Sequence, residues 1–142
     1  MRPLAELERV FESSTLASDS DAAAAELLAA SEEVLEPWVT ARGEVPTNET
    51  REGFRLLALH RQGAKGDPSF NACRETCREI VYHYNLVTMR DDYSDITDRL
   101  IMMRMISKHL YLFVSGKMQV AGLGEFCCSA KPIRSADVAT PT

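Results

Sequence analysis

A heptad seam runs through the middle of this chain. Phe70, Cys73, Cys77, Ile80, Tyr84 and Val87 follow one another at spacings of 3, 4, 3, 4 and 3 residues. That spacing puts all six on one stripe of an α-helix, with Arg74, Glu75, Arg78 and Glu79 on the other side. It predicts a packing helix from about Pro68 to Met89 and claims two of the four cysteines for a core. An apolar stripe has to be covered by other elements, so the remaining segments must supply its partners.

They read as helices too. Arg2 to Leu16 is amphipathic, with Leu4, Leu7, Val10 and Phe11 on one face. Ser18-Asp19-Ser20-Asp21 is a helix-start cluster, because its side chains accept from exposed N–H groups and its acids suit the positive helix end. The helix that follows opens on Ala22 to Ala25, buries Leu27, Leu28, Val34, Leu35 and Trp38, and is disrupted near its end by Pro37. A third helix is expected from an Asn48 cap, carrying Phe54, Leu56, Leu57 and Leu59 and stopping by Gly63. Asp67-Pro68 starts the seam helix, an acceptor followed by a residue that needs no N–H. Ser94 is the expected cap of a last long helix, about Asp95 to Ser115, with Gly116 as its C′ residue.

That last helix is apolar around most of its circumference. Ile96, Leu100, Met103, Leu110 and Val114 form one stripe, Ile101, Met105 and Leu112 widen it, and Arg104, Lys108, Tyr111 and Ser115 leave a narrow polar strip. Such a helix is either central in the bundle or covered on a second face by a partner chain. The expected contact residues for a second copy are Met103, Ile106, Leu110, Phe113 and Val114. The fold class is therefore all-α: a compact bundle of four to five helices with a flexible C-terminal tail. Residues 1–128 are expected to form a single domain with the last two long helices at its centre, and 129–142 a disordered tail.

Charge narrows the partners. At a net −5 over 142 residues the surface repels phosphate, which argues against nucleic acid and against anionic membranes. The most apolar window, Leu100 to Val114, is broken by Arg104, Lys108 and His109, and a bilayer span needs roughly 20 apolar residues. Met1 to Phe11 carries charges throughout and no apolar signal region. Cysteines set into a helical seam are not a disulfide framework, so a cytoplasmic protein with reduced thiols is expected.

Few constellations carry chemistry, and no cofactor is expected. Cys73 and Cys77 point the same way on one helix and could hold zinc, haem or an iron–sulfur group with a histidine. His83, six residues on, is the nearest candidate, with His60, His109 and the Cys127-Cys128 pair as others. The competing reading is that these cysteines are small core residues. Arg55, Arg61, Arg74 and Arg78 lie in a locally basic stretch that could bind an anion, unless interleaved acids simply balance it. Asp91, Asp92, Asp95 and Asp98 lack the central glycine and late glutamate of a calcium loop. No nucleophile elbow, phosphate-binding loop or dinucleotide fingerprint is present, so nothing in the chain asks for an enzyme.

His60-Arg61-Gln62-Gly63-Ala64-Lys65-Gly66 resembles the histidine phosphotransfer domains of bacterial signalling, which are also helical bundles with an exposed histidine followed by Lys and Gly. The resemblance covers seven residues and implies His60 as phospho-acceptor beside Lys65. In that family Lys and Gly follow within one helix, whereas here Gly63 comes first. Three functions follow as expectations. The leading one is a non-enzymatic regulatory or adaptor protein acting through protein contacts, as a homodimer. The second is a ligand-, metal- or haem-binding sensor built on Cys73 and Cys77. The third is phosphotransfer through His60.

Overall fold

Phe70, Cys73, Cys77, Ile80 and Val87 are all buried and Tyr84 is partly buried, so the seam packs as its spacing requires. The computed structural model describes residues 2–12, 19–89 and 94–122. These form α1 (Leu4–Glu12), α2 (Ser20–Ala41), α3 (Arg55–Ala64), a 3-10 segment (Pro68–Cys73) running straight into α4 (Arg74–Thr88), and α5 (Ile96–Ala121). The only strand-like feature among the described residues is an isolated antiparallel bridge between Arg51 and Phe54. No helix among them is long and apolar enough to cross a membrane. The expected tail, Cys127-Cys128, and Asp91-Asp92 lie outside the described residues.

The centre is α2 rather than the last two helices alone. α2 packs against α1, α3, α4 and α5, while α5 packs against α1, α2 and α4. α2 can do this because it is buried along its length, at Ala23, Ala24, Leu27, Ala30, Val34, Leu35, Trp38 and Val39. The small alanines let neighbours approach and the larger residues fill the remaining space. Pro37 does not end the helix, which continues to Ala41. A proline within a helix removes one hydrogen bond, but here Trp38 and Val39 are anchored in the core beyond it.

Two glycines behave differently from their local signals. Gly63 does not stop α3. It lies inside the helix and is buried, because a Cβ there would sit 2.9 Å from Trp38 Cδ1 and 3.0 Å from Phe70 Cε2. The indole takes that space, donates from Nε1 to the Gly63 carbonyl at 2.9 Å, and stacks on Phe70 at 4.9 Å between centroids. Gly116 likewise does not end α5, which runs on to Ala121 and closes at left-handed Gly122 (φ 71°). The extra turn is held by Met118, buried in the core, and by Lys117, which reaches Asp67 and Ser69.

Other boundaries also move. α3 starts at Arg55, because Glu52 (φ 55°) and Gly53 (φ 86°) form a tight turn closed by the Arg51–Phe54 bridge. Asn48 therefore caps nothing. α4 begins after Cys73, since Pro68–Cys73 is wound as a 3-10 helix. Asp67 spends its carboxylate on Ser69, Arg42 and Lys117 rather than on a cap, and the hydrogen bond from Ser69 holds it below the ordinary carboxylate range. Among the described helix starts with a cap position, none has a side-chain cap hydrogen bond.

Candidate functional site

The segment between α2 and α3 is pinned against α3 by two side chains. Gln62 donates to the Val45 carbonyl at 2.8 Å and to Glu44, and accepts from the Thr47 amide at 2.9 Å. Arg55 donates to the Thr47 carbonyl at 2.8 Å. Together with α3 and the start of α4, this segment encloses an open cleft of about 990 Å³. Arg51, Arg61, Lys65, Arg74 and Arg78 line it against two carboxylates, Glu44 and Glu49. Arg78 is tied to Glu52 at 3.1 Å, an ion pair that holds the Glu52 carboxyl below its usual range. Arg61 and Lys65 have no side-chain partner among the described residues. A positive cleft on a chain of net −5 focuses field lines on small anions.

Three of the four arginines proposed for an anion, Arg61, Arg74 and Arg78, therefore share one cleft. Arg55 does not join them. Its guanidinium is turned onto α2, 2.7 Å from Glu36 and 3.4 Å from Glu32. Glu32 is raised because burial outweighs the hydrogen bond from Arg55. Arg55 is thus a cross-brace between α2 and α3, and an arginine already held by two carboxylates offers little to a ligand.

His60 lines the floor of the cleft but is only 5% exposed. Its Nε2 lies 3.2 Å from the Phe70 carbonyl and its ring stacks on Phe70 at 5.6 Å. This corrects the phosphotransfer expectation, which needs an exposed nitrogen. Leu56, Leu59 and His60 share a face that α3 turns inward, because Trp38 and Phe70 draw the helix down at Gly63.

Cys73 and Cys77 are free and buried. Cys73 ends the 3-10 segment and occupies the cap position of α4, with Cys77 one turn further on the same face. Cys73 Sγ and His60 Nε2 converge on one acceptor, the Phe70 carbonyl. In its thiol form Cys73 donates to the Phe70 carbonyl at 3.3 Å. The Cys77 hydrogen bond, with His60 adding to it against the cost of burial, pulls the Cys73 thiol down to about 6. Cys77 is pushed well up by the same hydrogen bond and by burial. His83 is not part of this group. Six residues past Cys77, it lies about 120° from Cys77 around the helix, with Nδ1 3.0 Å from the Glu79 carbonyl. Among the described residues no three His, Cys, Asp or Glu side chains are disposed to hold a metal ion.

α5 has two apolar faces. Met103, Leu110 and Val114, three of the expected contact residues for a second copy, are fully buried within the chain. Ile106 and Phe113 pack on the same core, Phe113 against Phe70. Three of the five are interior and two are partly buried, on the side of α5 that packs within the chain against α2 and α4. The uncovered face carries Ile101, Met102, Met105 and Leu112, between 44% and 58% exposed, with Val120 beyond them. Ile101, Met105 and Leu112 were legible as apolar positions. Val120 was missed because Gly116 suggested a helix end, although the buried stripe Leu110, Val114, Met118 continues past it at four-residue spacing.

Comparison with protein-family models, with curated proteins and with solved structures finds no match to this chain.

Proposed function

We propose that this chain is a non-enzymatic regulatory or adaptor protein of the cytoplasm that works through protein contacts and self-associates through the outer face of α5. The observation that carries this reading is the row Ile101, Met105 and Leu112, at least 44% exposed and spaced four and seven residues apart on one helix. Water-facing apolar residues at helical spacing favour a second helix over solvent. Two-fold pairing sets the row against its own copy, apolar on apolar. Gly116, one turn past Leu112, has nothing among the described residues within 4 Å of its Cβ position, which leaves a notch for a close helix approach. Free Cys73 and Cys77 suit a reducing compartment.

Native mass spectrometry of reduced, freshly purified protein tests this. A dimer of unmodified chain is the expected result. A monomer at micromolar concentration, or a chain carrying extra small-molecule mass, contradicts it.

A second reading rests on the cationic cleft. Arg61 and Lys65, without a side-chain partner among the described residues and set over a cleft also lined by Arg51, Arg74 and Arg78, favour capture of a phosphate-sized anion. Titration with inorganic phosphate checks it: Arg61→Glu should abolish binding, and unchanged binding in that variant rejects it.

A further inference from the structure

The two seam cysteines are more than apolar filler. They differ from each other in ways that a packing role does not require. Cys73 stands where the 3-10 segment passes into α4, beside a histidine that shares the Phe70 carbonyl with it. Cys77 sits fully buried one turn further along the same helix face. Four residues of helix rise about 6 Å, within the Cα separation a disulfide can span. His60, which shares the Phe70 carbonyl with Cys73, and Arg74, next to Cys73 in the chain, both line the cleft. The cleft therefore borders residues on either side of Cys73, which is itself 2% exposed.

We propose that Cys73 and Cys77 form a peroxide-responsive dithiol, with Cys73 oxidised first and Cys77 resolving it to a disulfide. The Cys73 thiolate attacks one oxygen of hydrogen peroxide. An S–O bond forms, the O–O bond breaks, and the departing hydroxide takes a proton from solvent. Cys73 is then a sulfenic acid, oxidised by two electrons, and the peroxide is reduced to water. Cys77 attacks the Cys73 sulfur, the S–O bond breaks, and the hydroxide leaves as water with the Cys77 proton. The net change is one peroxide and two thiols to one disulfide and two waters. The difference in acidity between the two thiols fits this division of labour, since the thiolate is the nucleophile and the neutral thiol waits to resolve. Burial under His60 and Phe70 restricts access to small oxidants and holds bulky thiol reagents out.

The test uses the full chain, reduced and then treated with one equivalent of hydrogen peroxide. Trypsin cuts after Arg74, between the two cysteines. Peptide mapping should show the Cys73 and Cys77 peptides joined, 2 Da lighter than their sum. The pH profile of the reaction should have its midpoint near 6. Cys77→Ser should leave a sulfenic acid on Cys73 that dimedone traps, while Cys73→Ser should leave Cys77 unmodified. Three results overturn the proposal: no linkage between the two peptides; oxidation at Cys127 or Cys128 while Cys73 stays reduced; or a midpoint at the ordinary thiol range near 8.5. The linkage and the midpoint are read on the unmutated chain, so a variant that fails to fold does not remove the test.

Discussion

Leu110 and Leu112 are two residues apart on the same helix, and their surroundings are opposite. Leu110 is fully buried against α2 and α4, while Leu112 is half exposed. Both sit in apolar stripes of similar length, one running Met103, Leu110, Val114, Met118, the other Ile101, Met105, Leu112. A sequence marks both stripes as apolar and says nothing about which of them the rest of the chain will cover. That choice is made by α2 and α4, whose own stripes have to be satisfied at the same time.

The comparison is broken most directly by charge. Leu110→Asp places a carboxylate where no partner exists and should cost more than about 4 kcal/mol, enough to leave the chain unfolded by circular dichroism. Leu112→Asp should change stability by less than about 0.5 kcal/mol in urea titration and act instead on self-association. Similar losses from both substitutions would show that the two faces are not inside and outside.

The glycines repeat the contrast on a smaller scale. Gly63→Ala drives a methyl group into Trp38 and should destabilise by about 1–3 kcal/mol, with loss of the near-ultraviolet indole signal. Gly116→Ala meets nothing within 4 Å and should stabilise the isolated chain by about 0.5–1 kcal/mol through helix propensity. If Gly116→Ala also weakens self-association, the notch is part of the contact.

Cys73 adds a pH dependence that the outer face lacks. Its folded thiol lies at about 6, below the ordinary thiol range, so the unfolded chain binds the proton more readily. Its contribution is full above about 9 and is lost as pH falls toward 6. The urea-midpoint gap between wild type and Cys73→Ala should therefore be larger at pH 8.5 than at pH 6. A gap that grows on acidification contradicts the thiolate assignment. The smallest effect is expected at Ser107, whose buried hydroxyl has no hydrogen-bond partner among the described residues. Replacing it with alanine should be neutral or stabilising by up to about 1 kcal/mol in the same assay.

Much of this fold is legible in the residues. The 3-4 spacing from Phe70 to Val87 gives α4, and Leu7 and Phe11 give the buried side of α1. Periodicity reports which residues share a face, and it succeeds wherever that is the question. It fails at Pro37, Gly63 and Gly116, each a local stop signal that tertiary contacts overrule: Trp38 and Val39 beyond the first, the indole over the second, Met118 and Lys117 beyond the third. The cleft was half legible. Arg61, Arg74 and Arg78 are recognisable as a basic stretch, but only the fold reveals that Arg55 is consumed by Glu32 and Glu36 from an earlier helix. The pairing of His60 with Cys73 depends on α3 and the 3-10 segment meeting at Phe70, which no spacing rule encodes.

The claim that matters most is that the outer face of α5 is a contact surface and not merely an apolar accident. Sedimentation equilibrium of wild type beside a Met105→Glu, Leu112→Glu double variant tests it directly. Wild type should sediment with the mass of two chains and the variant with the mass of one, the variant's helical spectrum and urea midpoint being unchanged. A monomeric wild type, or a folded variant that remains dimeric, would contradict it.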